Sequence, residues 1–335
     1  MHVIAPFSSA ATPCLRRSGH SACKPVPVGL PRTHLRAQAT ARCTQHAAPS
    51  AAAPDAPGAA AATGLGAVDR RTLLLGLLAA GQLLPAWQLP ALADTPEITT
   101  VFVAGSTGNT GRRVVQQLRA AGYKVRAGVR DVRKAQSLGF AFDAGISIVE
   151  ADVTKDLKSL EAAIGDAQAV ICATGFSGVN PLKVASVDEK GTINLVNAAK
   201  ARGVSTFVLL SSLLTNAAAV GQKDNPNYKI LNLLGGVLDH KLAAERYLRA
   251  SGLRYTIVRP GGLRSEPASE VGQLIVSKED SLFGLDSDPG RAISRDTVAE
   301  VLVAALQQPA AANMVLEIVS SPSAPQLPKE KWFNV

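Results

Sequence analysis

From about residue 94 onward, short apolar runs alternate with stretches of helical periodicity. Runs at 100–104 (TVFVA), 124–129, 146–150, 168–173 (QAVICA), 204–210 (VSTFVLL), 254–258 and 314–319 carry little polar alternation. A strand with one wet face alternates apolar and polar positions, whereas a strand covered on both faces stays apolar, so these runs predict a buried parallel sheet. Between them, apolar residues recur at helical spacing over 109–121, 156–164, 185–202, 239–251 and 295–308. Strand–helix alternation of this kind predicts an α/β domain built on a doubly wound parallel sheet. Residues 94–325 are long enough for one full core. Within them, the polar stretch 263–293, rich in Gly, Asp and Ser, is expected to form a small C-terminal substrate-side region, and 326–335 a tail.

The pattern before residue 94 is different. Residues 1–54 contain no Asp or Glu, while Arg16, Arg17, Lys24, Arg32, Arg36 and Arg42 are basic and much of the remainder is Ala, Ser, Thr and Pro. Such a segment buries too little apolar area to fold alone, and its composition is that of an organelle transit peptide, here chloroplast-type. In 55–93, Arg70-Arg71 precedes an uncharged run with a short apolar core at 73–84, then Pro85 and Pro90, then Ala91-Leu92-Ala93. The core is short for a bilayer span, which needs about 20 apolar residues. Twin arginine, short core and small-x-small ending resemble a twin-arginine thylakoid-transfer signal.

This division redistributes the charge. The whole chain is +9, but residues 1–54 hold +6 and residues 55–93 balance, which leaves +3 on residues 94–335. The basic character belongs to the leader, so no nucleic-acid partner is expected. Of the four cysteines only Cys172 falls in the domain, which excludes an internal disulfide there and a cysteine metal site.

Candidate chemistry begins at VFVAGSTGNTGRRVVQQL, where an apolar strand meets Gly105, Gly108 and Gly111 and a helix follows. Gly105 permits the tight turn, Gly108 lets the backbone approach a pyrophosphate, and Gly111 lets the helix pack on the strand. Residues 105–111 (Gly105, Ser106, Thr107, Gly108, Asn109, Thr110, Gly111) therefore form a candidate dinucleotide-binding turn at a helix N-terminus, and the sheet is of Rossmann type. Arg130 stands 19 residues after Gly111, where NAD-preferring sites place an acid, and Lys134 lies one helical turn on. A guanidinium there suits a 2′-phosphate, so the cofactor is expected to be NADP(H). Asp131 beside it pulls the other way. Asp152 ends the third strand, placed either to accept from the adenine amino group, with Val153 against the ring, or to cap a helix. Ala173, Thr174 and Gly175 end the fourth strand on the ribose and nicotinamide side. Cys172 reads as a small buried residue rather than a nucleophile.

VFVAGSTGNTGRRV, VRAGVRD, EADVTKD, AVICATG, GTINLVNAAKARGV, FVLLSS, KLAAERYLRASGLRYTIVRPGGL and ISRDTVAEV run in order over residues 100–320. Together they resemble the atypical short-chain dehydrogenase/reductases of the NAD(P)-binding, NmrA-like and flavin-reductase-related type, and among these the chloroplast members, some of which associate with thylakoids or plastoglobules. Reductases of the wider superfamily use a Ser or Thr after the fifth strand and then Tyr-x-x-x-Lys, the tyrosine serving as acid/base. Ser211 and Ser212 fill the strand end, either to orient a substrate carbonyl or nicotinamide amide or simply to cap the strand. Lys241 matches the motif lysine and is expected on the ribose. Val237 stands where the tyrosine would be. The resemblance places Pro260 and Gly261 beside the nicotinamide. Ser294, in ISRD, looks like a helix cap. Tyr228, Ile230, Leu231, Leu233, Leu234, Val237 and Leu238 form an apolar cluster that could wall an apolar pocket, rest on lipid, or be ordinary core.

Two functions are expected from this reading. One is NADPH-dependent reduction of an apolar or aromatic acceptor of flavin, quinone or tetrapyrrole type. The alternative is a non-catalytic NADP(H)-binding sensor or scaffold at the thylakoid or plastoglobule.

Overall fold

The computed structural model describes residues 97–175, 180–233, 235–282 and 292–335. The expected transit peptide and twin-arginine-like segment (1–54 and 55–93) lie outside the described residues, as do Leu234 and 283–291 of the substrate-side stretch.

The strands are β1 (Thr100–Ala104), β2 (Lys124–Val129), β3 (Ile146–Glu150), β4 (Ala169–Cys172), β5 (Thr206–Leu210), β6 (Arg254–Pro260), β7 (Gly262–Arg264), β8 (Gln273–Lys278), β9 (Ala292–Ser294) and β10 (Met314–Ser321). The helices are α1 (Gly111–Ala120), α2 (Val132–Ser137), α3 (Leu157–Ile164), α4 (Thr192–Ala201), α5 (Pro226–Leu233), α6 (Val237–Arg249), α7 (Ala268–Val271) and α8 (Arg295–Gln307). The main sheet runs β3-β2-β1-β4-β5-β6-β10-β8, parallel except for the β10–β8 pair. A small parallel pair, β7–β9, accompanies it.

Successive residues of a strand point to opposite faces. Val101 and Val103 of β1 accordingly pack with Val114 and Leu118 of α1 and Val298 and Leu302 of α8. Phe102 and Ala104 pack with Leu160 and Ile164 of α3, Leu195 of α4 and Leu248 of α6. Both faces of β1 are therefore dry, which is why its sequence shows no alternation. Helix starts follow local chemistry: Asp131, Asp156 and Ser294 cap α2, α3 and α8 through side-chain oxygens that accept from Lys134, Ser159 and Asp296 N–H groups. Each such cap contributes about 1 kcal/mol. Strand order reverses between β1 and β4, and a doubly wound sheet opens its ligand crevice at the carboxyl ends of the strands flanking such a reversal.

Three departures from the sequence reading have identifiable causes. The stretch 263–293 carries β7, β8 and β9, and β8 closes the sheet antiparallel to β10, with Leu316 opposite Lys278. QLIVSK has too few apolar positions to register as a strand, and β10 supplies the pairing. The helix expected over 185–202 begins as a π-helical turn, Ala185–Gly191, before α4. Residues 326–335, expected as a tail beyond the domain, pack onto it instead: Trp332 and Phe333 are buried in the α1–α8 core, and the Trp332 indole N–H donates to Leu327 O at 3.0 Å.

The apolar cluster around α5 divides in two. Tyr228 and Leu238 join Leu213, Leu214, Leu282 and Val319 in a third core cluster, while Ile230, Leu231 and Leu233 are exposed.

Candidate functional site

The glycine turn after β1 is held by close backbone approach. Gly105 has φ 78°, and a Cβ there would lie 2.9 Å from Ala173 O. A Cβ on Gly111 would lie 2.1 Å from Gly105 O, so only glycine lets α1 start this close to the turn. Ser106 faces inward: its hydroxyl donates to Val103 O at 2.7 Å and its N–H to Gly128 O at 3.2 Å. Thr110 caps α1 without a side-chain hydrogen bond. The Arg112 and Arg113 N–H groups donate to Gly108 O and Thr110 O, each at 3.0 Å, so what the start of α1 offers is chiefly its positive dipole end, which favours an anion.

Two cavities adjoin at this turn, and Thr107, Gly108, Lys134, Ala173, Thr174 and Gly175 line both. The larger, of about 830 Å³, runs over the carboxyl ends of β2, β3 and β4. Gly105, Arg130, Asp152 and Val153 line it, so the structure gathers these sequence candidates around one space. Asp131, the residue that spoke against a phosphate, caps α2 by accepting from Lys134 N at 3.1 Å, and it does not line the cavity. Asp152 accepts from Thr154 N at 3.0 Å and from its hydroxyl at 2.8 Å, both through Oδ1; it makes a local turn, and the α3 cap is Asp156. Partial burial alone would raise the Asp152 carboxyl, but the two Thr154 bonds and the Arg130 and Lys155 charges together hold it below the ordinary carboxylate range. Val153 is buried, and a Cβ on Gly191 would meet its Cγ2 at 2.6 Å, so Gly191 lets the π-helical turn close against it. That turn brings Lys190, and the preceding short 3-10 turn Lys183, to the same cavity. Four cations thus face one carboxylate, Asp152.

The smaller cavity, of about 430 Å³, lies on the other side of the turn. Asn109, Thr110, Ser211, Ser212, Lys241, Pro260 and Gly261 line it, together with the apolar Leu210 and Leu263 and with Arg295. Lys241 Nζ is 2.9 Å from Oδ1 of the buried Asp188. Cys172 is buried, its sulfur 3.2 Å from the Thr174 hydroxyl, and burial pushes its thiol up. The two serines differ. The Ser211 hydroxyl donates to buried Glu245, away from any ligand, and Ser211 N donates to Val258 O at 2.8 Å. Ser212 is half-buried with no such side-chain bond among the described residues.

Beneath Pro260 lies Arg259, fully buried. Its guanidinium is 2.7 Å from Glu245 Oε2, 2.7 Å from Asp280 Oδ1, 3.2 Å from Glu279 Oε1 and 3.5 Å from Glu317 Oε1. Burial would lower the guanidinium, but Glu245 and the neighbouring acids outweigh it and hold the proton more firmly than usual. This cluster fixes the end of β6 from which Pro260 and Gly261 reach the cavity.

The sequence reading missed Arg295, Lys183 and Lys190. Arg295 sits inside a motif whose serine was read as a cap, and Ser294 does accept from Asp296 N. The two lysines lie on what read as a plain helix and its lead-in, and nothing local marks them. No tyrosine lines either cavity: Tyr228 donates to Asp239 at 2.6 Å, and Tyr247 donates to Asn197 at 2.7 Å. The residues of the α5 cluster do not line these cavities either.

Residues 105–309 match the family described as NAD(P)H-binding. A chloroplastic protein of Arabidopsis thaliana, uncharacterized, is 50% identical over 68% of this chain and 78% of its own length. Protein TIC 62, chloroplastic, of Pisum sativum is 36% identical over 73% of this chain, and the chain spans only 47% of that longer protein. Sanguinarine reductase of Eschscholzia californica is 31% identical over 69% of this chain and 92% of its own length. Among solved structures, a Bacillus halodurans protein named for the NAD-dependent epimerases/dehydratases is 26% identical, with a TM-score of 0.57, over 70% of this chain and 99% of that one.

Proposed function

We propose that this chain, which belongs to the NAD(P)H-binding family, is an NADPH-dependent reductase of an apolar or aromatic acceptor in the chloroplast. The observation that carries the reading is the pair of cavities meeting at the glycine turn, cationic on the adenosine side and mixed apolar and polar on the other. The donor set fits a phosphorylated dinucleotide: the start of α1 suits the pyrophosphate, Arg130 and Lys134 the 2′-phosphate, and Asp152 and Val153 the adenine. Lys183 and Lys190 add charge of the same sign across the cavity. The relative named as a reductase and the relatives named chloroplastic support the activity and the compartment.

When bound, NADPH supplies the hydride. Lys241, held by Asp188, is placed for the ribose, and Pro260 and Gly261 flank the nicotinamide side. Ser212, whose hydroxyl, unlike that of Ser211, makes no side-chain bond among the described residues, is placed to meet the acceptor's polar atom. With Val237 in the tyrosine position, no phenol of the described residues reaches the cavity, so the balancing proton comes from water. The test is loss of reduced nicotinamide absorbance with a panel of flavins, quinones and bilins. Turnover with one class, weakened in Arg130→Ala and in Lys241→Ala, supports the reading.

A second reading rests on the same missing phenol and on the Ser211 hydroxyl being tied to Glu245: a non-catalytic NADP(H) sensor or scaffold at the thylakoid or plastoglobule. Tight NADPH binding without turnover on any acceptor would favour it. The leader, 1–54 as transit peptide and 55–93 as thylakoid signal, belongs to this proposal too, and protease treatment of intact thylakoids tests it.

A further inference from the structure

We propose that the acceptor carries an anionic group, a carboxylate or a phosphate, which Arg295 grips at the rim of the 430 Å³ cavity. This rests on the reductase reading and narrows its substrate class: it excludes an uncharged quinone.

Among the described residues, Lys134, Lys241 and Arg295 line the cavity and no Asp or Glu does. Two of these cations have other work. Lys241 pairs with Asp188 at 2.9 Å, and Lys134 also faces the adenosine cavity, where a 2′-phosphate would engage it. Arg295 has no carboxylate within 4.0 Å among the described residues. The acid beside it in sequence, Asp296, is bonded to Arg113 Nε at 2.6 Å.

The surroundings of Arg295 disfavour its charge. It is half-buried, and among the described residues its Nη1 donates to the Ser265 hydroxyl alone, at 3.0 Å. Burial, then the nearby Arg113 and Arg112 charges, lower its hold on the proton, and the exposed Glu266 only partly offsets them. A half-buried guanidinium beside two like charges is compensated when an anion arrives, and its planar fork matches the two oxygens of a carboxylate or phosphate.

Position and shape support the same reading. Arg295 opens α8 directly after β9, whose partner β7 supplies Leu263. The cavity therefore offers apolar contacts from Leu210, Leu263 and Ala173, with Arg295 as a cation that pairs with no carboxylate among the described residues. A flat apolar body with an anionic substituent satisfies both features. A wholly apolar ligand would bury the guanidinium without an anion, which costs free energy.

The test uses the full chain loaded with NADP⁺ and matched probes that differ only in charge: flavin mononucleotide against riboflavin, and biliverdin against its dimethyl ester. Binding is read by fluorescence quenching, so the result does not depend on turnover. The expected result is at least one pair in which the anionic member binds on the order of tenfold more tightly. That preference disappears in Arg295→Ala and is partly kept in Arg295→Lys, while the NADPH dissociation constant is unchanged in both. Absence of preference in both pairs overturns the proposal, and so does a preference that survives in Arg295→Ala. A comparable weakening of NADPH itself in Arg295→Ala would assign the arginine to the cofactor pyrophosphate and also overturn it. Wild-type protein that fails to bind NADPH would instead overturn the cofactor reading beneath. Which pair responds distinguishes phosphate from carboxylate.

Discussion

The two sides of the glycine turn are built by different means. On the adenosine side the ligand would meet main chain at the ends of β1 to β4, with Arg130 and Lys134 added at the exposed edge. On the side proposed for the acceptor, the wall depends on Arg259, sealed beneath Pro260 and ringed by Glu245, Glu279, Asp280 and Glu317. One side is set by a short local segment and needs little beyond glycine at fixed spacings. The other is assembled from α6, β6, the end of β8 and β10, so its geometry is only as good as the buried ion cluster that joins them. Cofactor binding should therefore be insensitive to the Arg259 cluster, and acceptor geometry should depend on it.

Arg259→Leu is the strongest way to break that contrast. It leaves Glu245 and Glu317 buried without their cation, and removing one partner of a buried ion pair costs about 3–5 kcal/mol. The expected result is a large drop in the urea midpoint, and an acceptor side damaged well before the adenosine side. If NADPH affinity and acceptor affinity fall together in the folded fraction, the two sides are one cooperative unit and the contrast fails.

Gly111→Ala attacks the other side through backbone. The added Cβ would sit 2.1 Å from Gly105 O, and a carbonyl in a tight turn cannot swing aside as a side chain can. The cost is about 1–3 kcal/mol, the usual range for overpacking. Both the melting temperature and NADPH binding should fall. A variant with wild-type affinity would mean that α1 can move away from the turn without disturbing the phosphate site.

The same contrast explains what was legible beforehand. The fold was readable because β1, β4 and β5 are buried throughout, and β2, β6 and β10 over most of their length, and say so in sequence. That the glycine turn and Arg130 line one cavity was readable because each follows a neighbouring parallel strand, β1 and β2, at its carboxyl end. The role of Arg259 was not: its four carboxylates lie at 245, 279, 280 and 317, and nothing local shows that they converge. Ser211 and Ser212 are neighbours with the same side chain, yet only packing tells which one donates into the core. Strand β8 stayed hidden because its pairing with β10, and not its own residues, makes it a strand.

Arg130→Ala sharpens the adenosine side alone. A hydrogen bond to a charged group contributes about 1.5–3 kcal/mol, and Arg130 is exposed, so the lower end applies. NADPH affinity should fall on the order of tenfold and NADH affinity hardly at all. Isothermal titration with both cofactors reads the ratio. Equal losses would place the guanidinium on something other than the 2′-phosphate.

The smallest effect tests the cluster from within. Burial pushes the Glu317 carboxyl above its ordinary value of 4.5, more strongly than the Leu282 N–H, the Arg259 charge and the Ser281 N–H pull it down. Below pH 4.5 the group is protonated in folded and unfolded chains alike, so it contributes no pH slope there. Above that, the unfolded chain sheds the proton while the fold retains it, and stability declines as pH rises through the raised value. Glu317→Gln removes this decline and keeps an oxygen to accept from the Leu282 N–H, which Glu317 Oε2 now does at 2.8 Å. Its stability at pH 7 should therefore match or exceed that of wild type, with the difference vanishing toward pH 4. A variant clearly weaker than wild type at pH 7 would show that an ionised Glu317 is a needed counter-charge to Arg259. In that case the cluster would hold together by charge balance among all four carboxylates around Arg259.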